Sequence, residues 1–234
     1  LSPGVRIQKS QGGGGSPVIR GFEANRVLIV VDGVRMNNAI YRSGHLQNSI
    51  TIDPSNIERA EIIFGSSSVG YGSDAMGGVI HYYTKNPILK NSEKISSSFT
   101  TNFNSANNSV SNNFNTSLSS DNWGSITSIS ISKYGDIKMG KNRNHGFSDW
   151  GLNPIYSKNS RYSYYSEPSI NSDNNIQRNT GYSQVDLFQK FLVNLGDSSL
   201  LNLNIQFSES SDIDRFDQLS IPKDNSLKYS EWYY

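Results

Sequence analysis

Five segments in the C-terminal part of the chain alternate apolar and polar residues, each over about ten positions. Successive side chains of a strand point to opposite faces, so each segment presents one apolar and one polar face. Strands are therefore predicted near 94–104, 110–118, 123–133, 182–195 and 199–208. Ile126 breaks the alternation of the third segment. The fifth segment is the most regular, with apolar residues at Leu201, Leu203, Ile205 and Phe207.

The connections between these segments differ in length. Residues 119–122 and 196–198 make short connections, whereas 134–180 and the stretch 209–230 are long. The 134–180 connection is rich in Ser, Asn and Tyr, a composition typical of an exposed binding or lid loop. A disordered loop is the alternative interpretation. Its tyrosines include Tyr156, Tyr162, Tyr164 and Tyr165.

Residues 16–85 follow a different pattern, with continuous apolar runs and many glycines. The apolar run Arg26–Val31 suits a strand that is buried on both faces. The dipeptide Asp32-Gly33 lies between apolar residues, which predicts a tight hairpin turn into a returning strand at Val34–Met36. Further strands are predicted at Ala60–Phe64 and Val79–Thr84. This part of the chain is therefore predicted to be a small mixed α/β unit.

Two local signals mark the turns of this unit. Asp53 is a favoured helix cap and Pro54 fits the first helical position, so the following SNIER predicts about one helical turn. Five glycines then follow within a short stretch, and we expect some of them to adopt positive φ. They are Gly65, Gly70, Gly72, Gly77 and Gly78.

Several sequence pieces occur in order along this unit: SPVIRGF, RVLIVVDGVRM, IDPSNIERAEIIFG, SSSVGYGSDAMGGVI and TK before Asn86-Pro87. Together they resemble the plug domain of TonB-dependent outer-membrane receptors. The resemblance implies a plug domain at 1–87 and, at 88–234, the N-terminal part of a transmembrane β-barrel. The expected fold class is thus mixed, a small α/β plug followed by the first antiparallel strands of a barrel of about 22 strands.

Composition narrows the function classes. No window approaches the 18 or so consecutive apolar residues of a membrane helix, whereas barrel strands alternate and average out as polar. The net charge of +1 argues against a nucleic-acid partner. The three histidines, His45, His81 and His145, lack metal-site spacing, and neither a nucleophile motif nor a phosphate-binding loop is present. We therefore expect a protein that is not an enzyme.

The resemblance also implies partners and a location. A receptor of this family lies in the outer membrane of a Gram-negative bacterium, contacts its lipid, and is energised by the TonB complex. The chain opens without a signal peptide, so we expect the export signal and the TonB-contacting segment to precede it. Charged residues in the plug motifs are either contacts to the barrel wall or solvated surface groups. They are Arg20, Arg26, Arg35, Glu58, Arg59 and Glu61.

The expected ligand site lies in the stretch NNAIYRSGHLQN, which corresponds to an outward-facing plug loop. GHLQN is similar to the GHLN element of haem and haemoglobin receptors, in the group that takes up iron from haemoglobin, transferrin and lactoferrin. The resemblance implies His45 as a ligand of haem iron, while Tyr41 offers a phenol and Arg42 a guanidinium for a propionate. The alternative is that His45 only holds its loop in place.

The cargo expected from this resemblance is haem or a haem protein, with no permanently bound cofactor. A ferric siderophore is the main alternative, and cobalamin or an oligosaccharide is a further one, because cargo depends on ligand-facing loops rather than on fold. An adhesin or extracellular binding module would explain the Ser- and Asn-rich strands but not the ordered plug motifs. His81 lies in a strand of the plug, where we expect a structural or plug–barrel contact.

Overall fold

The computed structural model describes residues 4–8, 15–23, 26–36, 51–72, 75–89, 94–196, 198–224 and 226–233. Within these residues the two largest sheets have four and five strands. The four-stranded sheet belongs to the N-terminal region, and we call the described residues between 4 and 89 the head. In the described part of the chain, none of the helices has the length and apolarity needed to cross a membrane.

The head contains six strands. They are β1 (Val5–Gln8), β2 (Ser16–Ile19), β3 (Val27–Val31), β4 (Val34–Arg35), β5 (Ile57–Ile63) and β6 (Gly78–Thr84). β1 and β2 form a separate hairpin, whereas the larger sheet has the order β4-β3-β6-β5. β3 and β6 run parallel, and the other two pairings are antiparallel.

Every residue of β3 is buried, as the continuous apolar run predicts. On one side of the sheet Leu28 and Val30 pack with Val79, and on the other side Ile29 and Val31 pack with Ile52. A strand that is covered on both faces needs apolar residues at every position. The expected two-sided burial is confirmed.

The turn after β3 is confirmed as a tight hairpin. Asp32 and Gly33 have φ of 46° and 86°, so both occupy the left-handed region. Glycine adopts that conformation without steric cost, and Asp tolerates it better than most residues. The turn therefore returns the chain into β4 and leaves the Asp32 side chain beyond the end of β3.

The helical turn at Asp53 is confirmed, but it is shorter than the SNIER pattern suggests. A 3-10 turn covers Pro54–Asn56, and Asp53 Oδ1 accepts a hydrogen bond of 2.9 Å from the Ser55 backbone N–H. β5 begins at Ile57 rather than at Ala60, because the extended backbone there pairs with β6. Sheet pairing thus overrides the local helical preference. Three of the five glycines have positive φ, as expected: Gly65, Gly72 and Gly78.

The remaining elements follow in order. They are β7 (Lys94–Asn104), β8 (Ser109–Ser119), β9 (Trp123–Tyr134), β10 (Ile137–Lys138), β11 (Ile155–Tyr156), β12 (Ser169–Ile170), β13 (Ile176–Gln177), β14 (Tyr182–Gly196), β15 (Ser199–Ser210), α1 (Phe216–Leu219), β16 (Pro222–Lys223) and β17 (Ser226–Leu227). The five long strands form one antiparallel sheet of order β15-β14-β9-β8-β7, which we call the meander sheet. Its strands lie within two residues of the segments marked by alternation.

The two faces of the meander sheet differ as the alternation predicts. Leu203 is 49% exposed, whereas its neighbour Asn204 donates a hydrogen bond to Asp32 of the head. Ile126, which breaks the alternation of its strand, is only 6% exposed and lies directly opposite Lys190 in the sheet, on the face that contacts the head. The break in parity thus places an apolar residue on the head side, where it is covered.

The long connection between β9 and β14 is folded, so the disordered alternative is wrong. β10 pairs with β13 and β11 with β12. At its base, Asp136 Oδ1 accepts hydrogen bonds of 3.1 Å from the backbone N–H groups of Thr180 and Gly181, and its Oδ2 lies 3.4 Å from Arg178. Tyr162, at 89% exposure, confirms the prediction of an exposed, tyrosine-bearing loop.

Candidate functional site

The predicted ligand residues Tyr41, Arg42 and His45 lie outside the residues that the structure describes. Their role therefore stays a prediction. What the structure does describe is the surface on which the head contacts the meander sheet. Two polar clusters join the two units there, one at Asp32 and the other at Asp53, and we treat this contact as the candidate functional site.

The first cluster is centred on the Asp32 carboxylate. Oδ1 accepts a hydrogen bond of 2.9 Å from the Thr84 backbone N–H. Oδ2 accepts from the Thr84 hydroxyl, from Lys190 Nζ at 3.0 Å and from Asn204 Nδ2 at 2.7 Å. Asp32 and Thr84 meet because β3 and β6 are parallel neighbours, and their ends lie at the same edge of the sheet. The meander sheet contributes Lys190 from β14 and Asn204 from β15.

Lys190 is 2% exposed, which is rare for a lysine. Its Nζ is also 2.9 Å from the Thr84 hydroxyl oxygen, so the ammonium contacts two groups of the head. Removing such a cation from water is costly, and the cost is offset only when its partners are well placed. Removing the charge of only one partner would leave the other charge buried and uncompensated.

Burial alone would raise the pKa of Asp32, but the hydrogen bonds from Thr84 and the nearby Lys190 ammonium outweigh it. They hold the pKa of this carboxyl below its ordinary value. Asp32 is therefore ionised throughout the neutral range. The contact between the head and the meander sheet contains a true ion pair.

The second cluster is built around the capped turn at Asp53. Ser130 of β9 donates a hydrogen bond to Asp53 Oδ2, and Asn113 of β8 donates to Ser130 at 2.8 Å. Within the head, Asn56 Nδ2 donates to the same Asp53 oxygen at 3.2 Å. The turn residue Asp53 thus has two roles, because one oxygen caps the 3-10 turn and the other contacts the meander sheet.

His81 makes structural contacts, which is one of the two roles expected for it. Its Nε2 accepts a hydrogen bond of 3.1 Å from the Gly33 N–H, and the Tyr71 hydroxyl lies 3.2 Å from Nδ1. Its ring stacks on Tyr83 with 4.0 Å between centroids. Burial lowers the pKa of His81, which favours the neutral ring that can accept from Gly33. All of these contacts lie within the head, so His81 supports the hairpin that carries Asp32.

The charged residues singled out from the plug motifs do not supply the ion pair to the meander sheet. Arg59 pairs with Glu61 at 2.8 Å on the surface of the head, and both side chains are more than two fifths exposed. The Arg20 guanidinium lies over the Phe64 ring, and Arg35 donates to the Tyr71 carbonyl. In the described part of the chain, the pair between head and sheet is made by Asp32 and Lys190.

Sequence reasoning missed both members of this pair. The Asp32-Gly33 pattern predicts a tight turn and gives no indication of an ion pair. Lys190 stands in the polar register of the fourth predicted strand, between Leu187 and Phe191 of the apolar register. The signal available in the sequence is this single lysine among the polar positions of the strand. Among the described residues, no group of three or more His, Cys, Asp or Glu side chains could hold a metal ion.

Comparisons with known proteins show what the N-terminal segment is similar to. Residues 1–79 match the family model described as TonB-dependent Receptor Plug Domain. By sequence, the N-terminal segment is therefore similar to a plug domain. The match covers about a third of the chain and does not extend to the meander sheet.

Individual relatives show the same local likeness. The chain is 45% identical over 84 residues to the vitamin B12 transporter BtuB of Vibrio vulnificus, covering 35% of this chain and 13% of the relative. It is 42% identical over 83 residues to the hemin receptor of Yersinia enterocolitica, covering 35% of this chain and 12% of that protein. The chain thus spans only a small part of the length of these curated relatives.

A solved structure extends the likeness to the strands. The copper transporter OprC matches with a TM-score of 0.64 at 14% identity, over 89% of this chain and 26% of that chain. At this identity the match shows the fold alone. The described residues are mostly β-strand with one short α-helix, and their fold is similar to part of this solved structure.

Proposed function

We propose that this chain is the plug domain and the first barrel strands of a TonB-dependent receptor that imports a nutrient across the outer membrane of a Gram-negative bacterium. In this proposal residues 1–87 are the plug and residues 88–234 belong to the barrel wall, with the exposed apolar face toward lipid. The observation that carries the proposal is the buried Asp32–Lys190 pair, which attaches a plug-type head to the polar face of the meander sheet.

The chemistry of this contact suits a plug that must move. The two clusters are made of carboxylate, ammonium, amide and hydroxyl groups, whereas the interior of the head is made of Val, Leu and Ile. Water can replace polar contacts, so the net free energy lost per hydrogen bond is only about 0.5–1.5 kcal/mol. Apolar surface has no such replacement. A pull from the TonB complex would therefore separate the head from the wall before it disrupts the β3 core.

The cargo we propose is haem or a haem protein. The support is the GHLQN stretch with Tyr41, Arg42 and His45, together with the likeness to a hemin receptor. Haem carries an iron atom that the imidazole can coordinate and propionate groups that the guanidinium can bind. The ligand is cargo in this proposal and not a resident cofactor.

Cobalamin is the second candidate, because the B12 transporter BtuB matches the same region at slightly higher identity than the hemin receptor. Both relatives match mainly the plug, whose fold does not define cargo. A ferric siderophore stays an alternative on the same ground. The side chains facing the ligand decide between them.

The test uses the whole protein that carries this chain, expressed in a host lacking its own haem and cobalamin receptors. Uptake of haem, cobalamin and a ferric siderophore is measured with and without TonB, for the wild type and for His45→Ala. We expect uptake of haem only, dependent on TonB and lost in the variant. His145→Ala, in the long connection, is the matched control and should transport normally.

Other outcomes are equally informative. TonB-dependent uptake of cobalamin or of the siderophore, but not of haem, would reject haem as cargo and keep the receptor. Unchanged haem uptake in His45→Ala would remove His45 from the site. Uptake of none of the three compounds, even with TonB present, would reject haem, cobalamin and the tested siderophore as cargo.

A further inference from the structure

A cavity of about 150 Å³ lies between the two long connections of the chain. One wall is the turn at 165–168, in the connection between β9 and β14, and the other wall is the stretch 226–228, which begins with β17. At about 30 Å³ for each water molecule, the cavity has room for roughly five waters. It can therefore enclose one ring-sized group of a larger ligand.

The floor of this cavity is buried and fixed by hydrogen bonds. Ser157 and Asn159 are 4% and 8% exposed, and both side chains donate to the Ser230 carbonyl oxygen, Asn159 Nδ2 at 2.9 Å. Asn159 Oδ1 accepts from the Tyr165 backbone N–H, which holds the turn at the cavity. These bonds join the two connections. The cavity is therefore preformed, as ligand sites usually are.

The polar groups around the rim are not paired with one another. Glu167 and Lys228 both line the cavity, yet among the described residues neither belongs to an ion pair. The Lys228 ammonium lies 5.1 Å from the centroid of the Tyr229 ring. The hydroxyl groups of Ser166 and Ser226 make no hydrogen bond within the part of the chain that the structure describes. The rim therefore offers an acceptor, a donor and two hydroxyl groups that can do both.

The rest of the lining is apolar, and it restricts the class of ligand. Tyr165, which is 52% exposed, lines the cavity together with Pro168 and Leu227. An aromatic side chain supplies a large apolar surface. A free anion would be repelled by Glu167 and a free cation by Lys228, so a neutral ligand is favoured. Such a ligand needs hydroxyl groups at its edge and an apolar face.

We propose that this cavity binds one neutral pyranose ring of an oligosaccharide. The hydroxyl groups at the edge of a pyranose can donate to Glu167 and accept from Lys228, and its C–H groups can pack on Tyr165. In the proposed receptor the long connections face the outside of the cell. The sugar then belongs either to the lipopolysaccharide of the same membrane or to a glycan outside the cell. The sugar site is separate from the cargo site predicted at His45.

The test measures binding and not transport, so its result is separate from that of the cargo experiment. The whole protein is purified in a polyoxyethylene detergent, which has no sugar headgroup to compete. Two sets of fluorescent probes are titrated by fluorescence polarisation: oligosaccharides that end in glucose, galactose, mannose or N-acetylglucosamine, and the delipidated core of lipopolysaccharide. We expect saturable binding of at least one probe. Glu167→Gln should weaken it about tenfold, the usual loss for one hydrogen bond to a charged group, and Tyr165→Ala should weaken it at least as much.

Two matched controls should bind as the wild type does. Tyr164→Ala removes a tyrosine that is 74% exposed and does not line the cavity, and Asp149→Asn removes an exposed carboxylate of the same connection. Binding of the lipopolysaccharide core alone would assign the sugar to the same membrane, whereas binding of the other probes would assign it to an external glycan. A wild type that binds none of the probes, or equal binding by Glu167→Gln and Tyr165→Ala, would overturn the proposal.

Discussion

The interior of the head and the contact between the head and the meander sheet are two buried regions built from opposite chemistries. Inside the head, β3 is covered on both faces by aliphatic side chains. At the contact, one ion pair joins Asp32 to Lys190, and hydrogen bonds join Asp32 to Asn204 and Asp53 to Ser130. The head is therefore cohesive in itself, whereas its attachment to the meander sheet depends on specific polar partners.

The largest effect is expected at the buried ion pair. Lys190→Met leaves the Asp32 carboxylate without its cation and should destabilise the attached head by about 3–5 kcal/mol, the usual effect of removing one partner of a buried pair. The measurement is limited proteolysis and hydrogen exchange of the hairpin that contains Asp32. Adding Asp32→Asn should restore much of the loss, because no buried charge is then unpaired. If the double variant is as unstable as the single one, the ion pair is not the cause.

The next effect is expected inside the head. Leu28→Ala opens a cavity against Val30, Ala75 and Val79, and should destabilise the head by about 2–5 kcal/mol. The change should reduce hydrogen-exchange protection throughout β3 and β6 and not only at the contact. Val34→Ala, at an exposed position of β4, is the control with little expected effect. A loss of protection confined to the contact would contradict the separation into two regions.

A third prediction concerns the two faces of β15. In the proposed receptor, Leu203→Arg places a charge toward lipid and should cost up to about 2–4 kcal/mol near the membrane midplane. Asn204→Arg keeps a donor beside Asp32 and should cost much less. The comparison uses reversible unfolding of the whole protein in lipid or detergent. Equal tolerance of both substitutions would defeat the assignment of the exposed face to lipid.

The smallest effect is expected on acidification. The pKa of His81 in the folded head lies below its ordinary value of 6.5, chiefly because of burial. The unfolded chain therefore takes up a proton first, so the head should lose stability as the pH falls from 6.5 toward the folded pKa. Asp32 adds a similar loss only below its ordinary value of 3.8. Thermal unfolding at several pH values should show a slope that is reduced in His81→Gln, and an unchanged slope would show that another group titrates.

Much of the local structure follows from short stretches of sequence. Alternation predicts the long strands, Asp32-Gly33 predicts the hairpin, and the apolar run predicts a strand covered on both sides. These signals are local because strand geometry and turn conformation depend on neighbouring residues. The helical prediction for the SNIER stretch is only partly confirmed, because the pairing of Ile57 with β6 outweighs a weak local preference for helix.

Local sequence patterns are sufficient to predict the long strands and the tight turns, and the plug motifs carry the resemblance to a family. Tyr41, Arg42 and His45 stay predictions of that resemblance. The pairing of Asp32 with Lys190, 158 positions away, and the meeting of Asp53, Asn56 and Asp186 around one cavity follow from the docking of the head on the meander sheet. Contacts of this kind depend on how sheets dock, and charged residues separated by such distances carry no local pattern that would pair them. In the sequence, Asp32 is an ordinary turn residue and Lys190 is an ordinary polar residue of a strand. Their side chains are removed from water only because the head docks on the meander sheet.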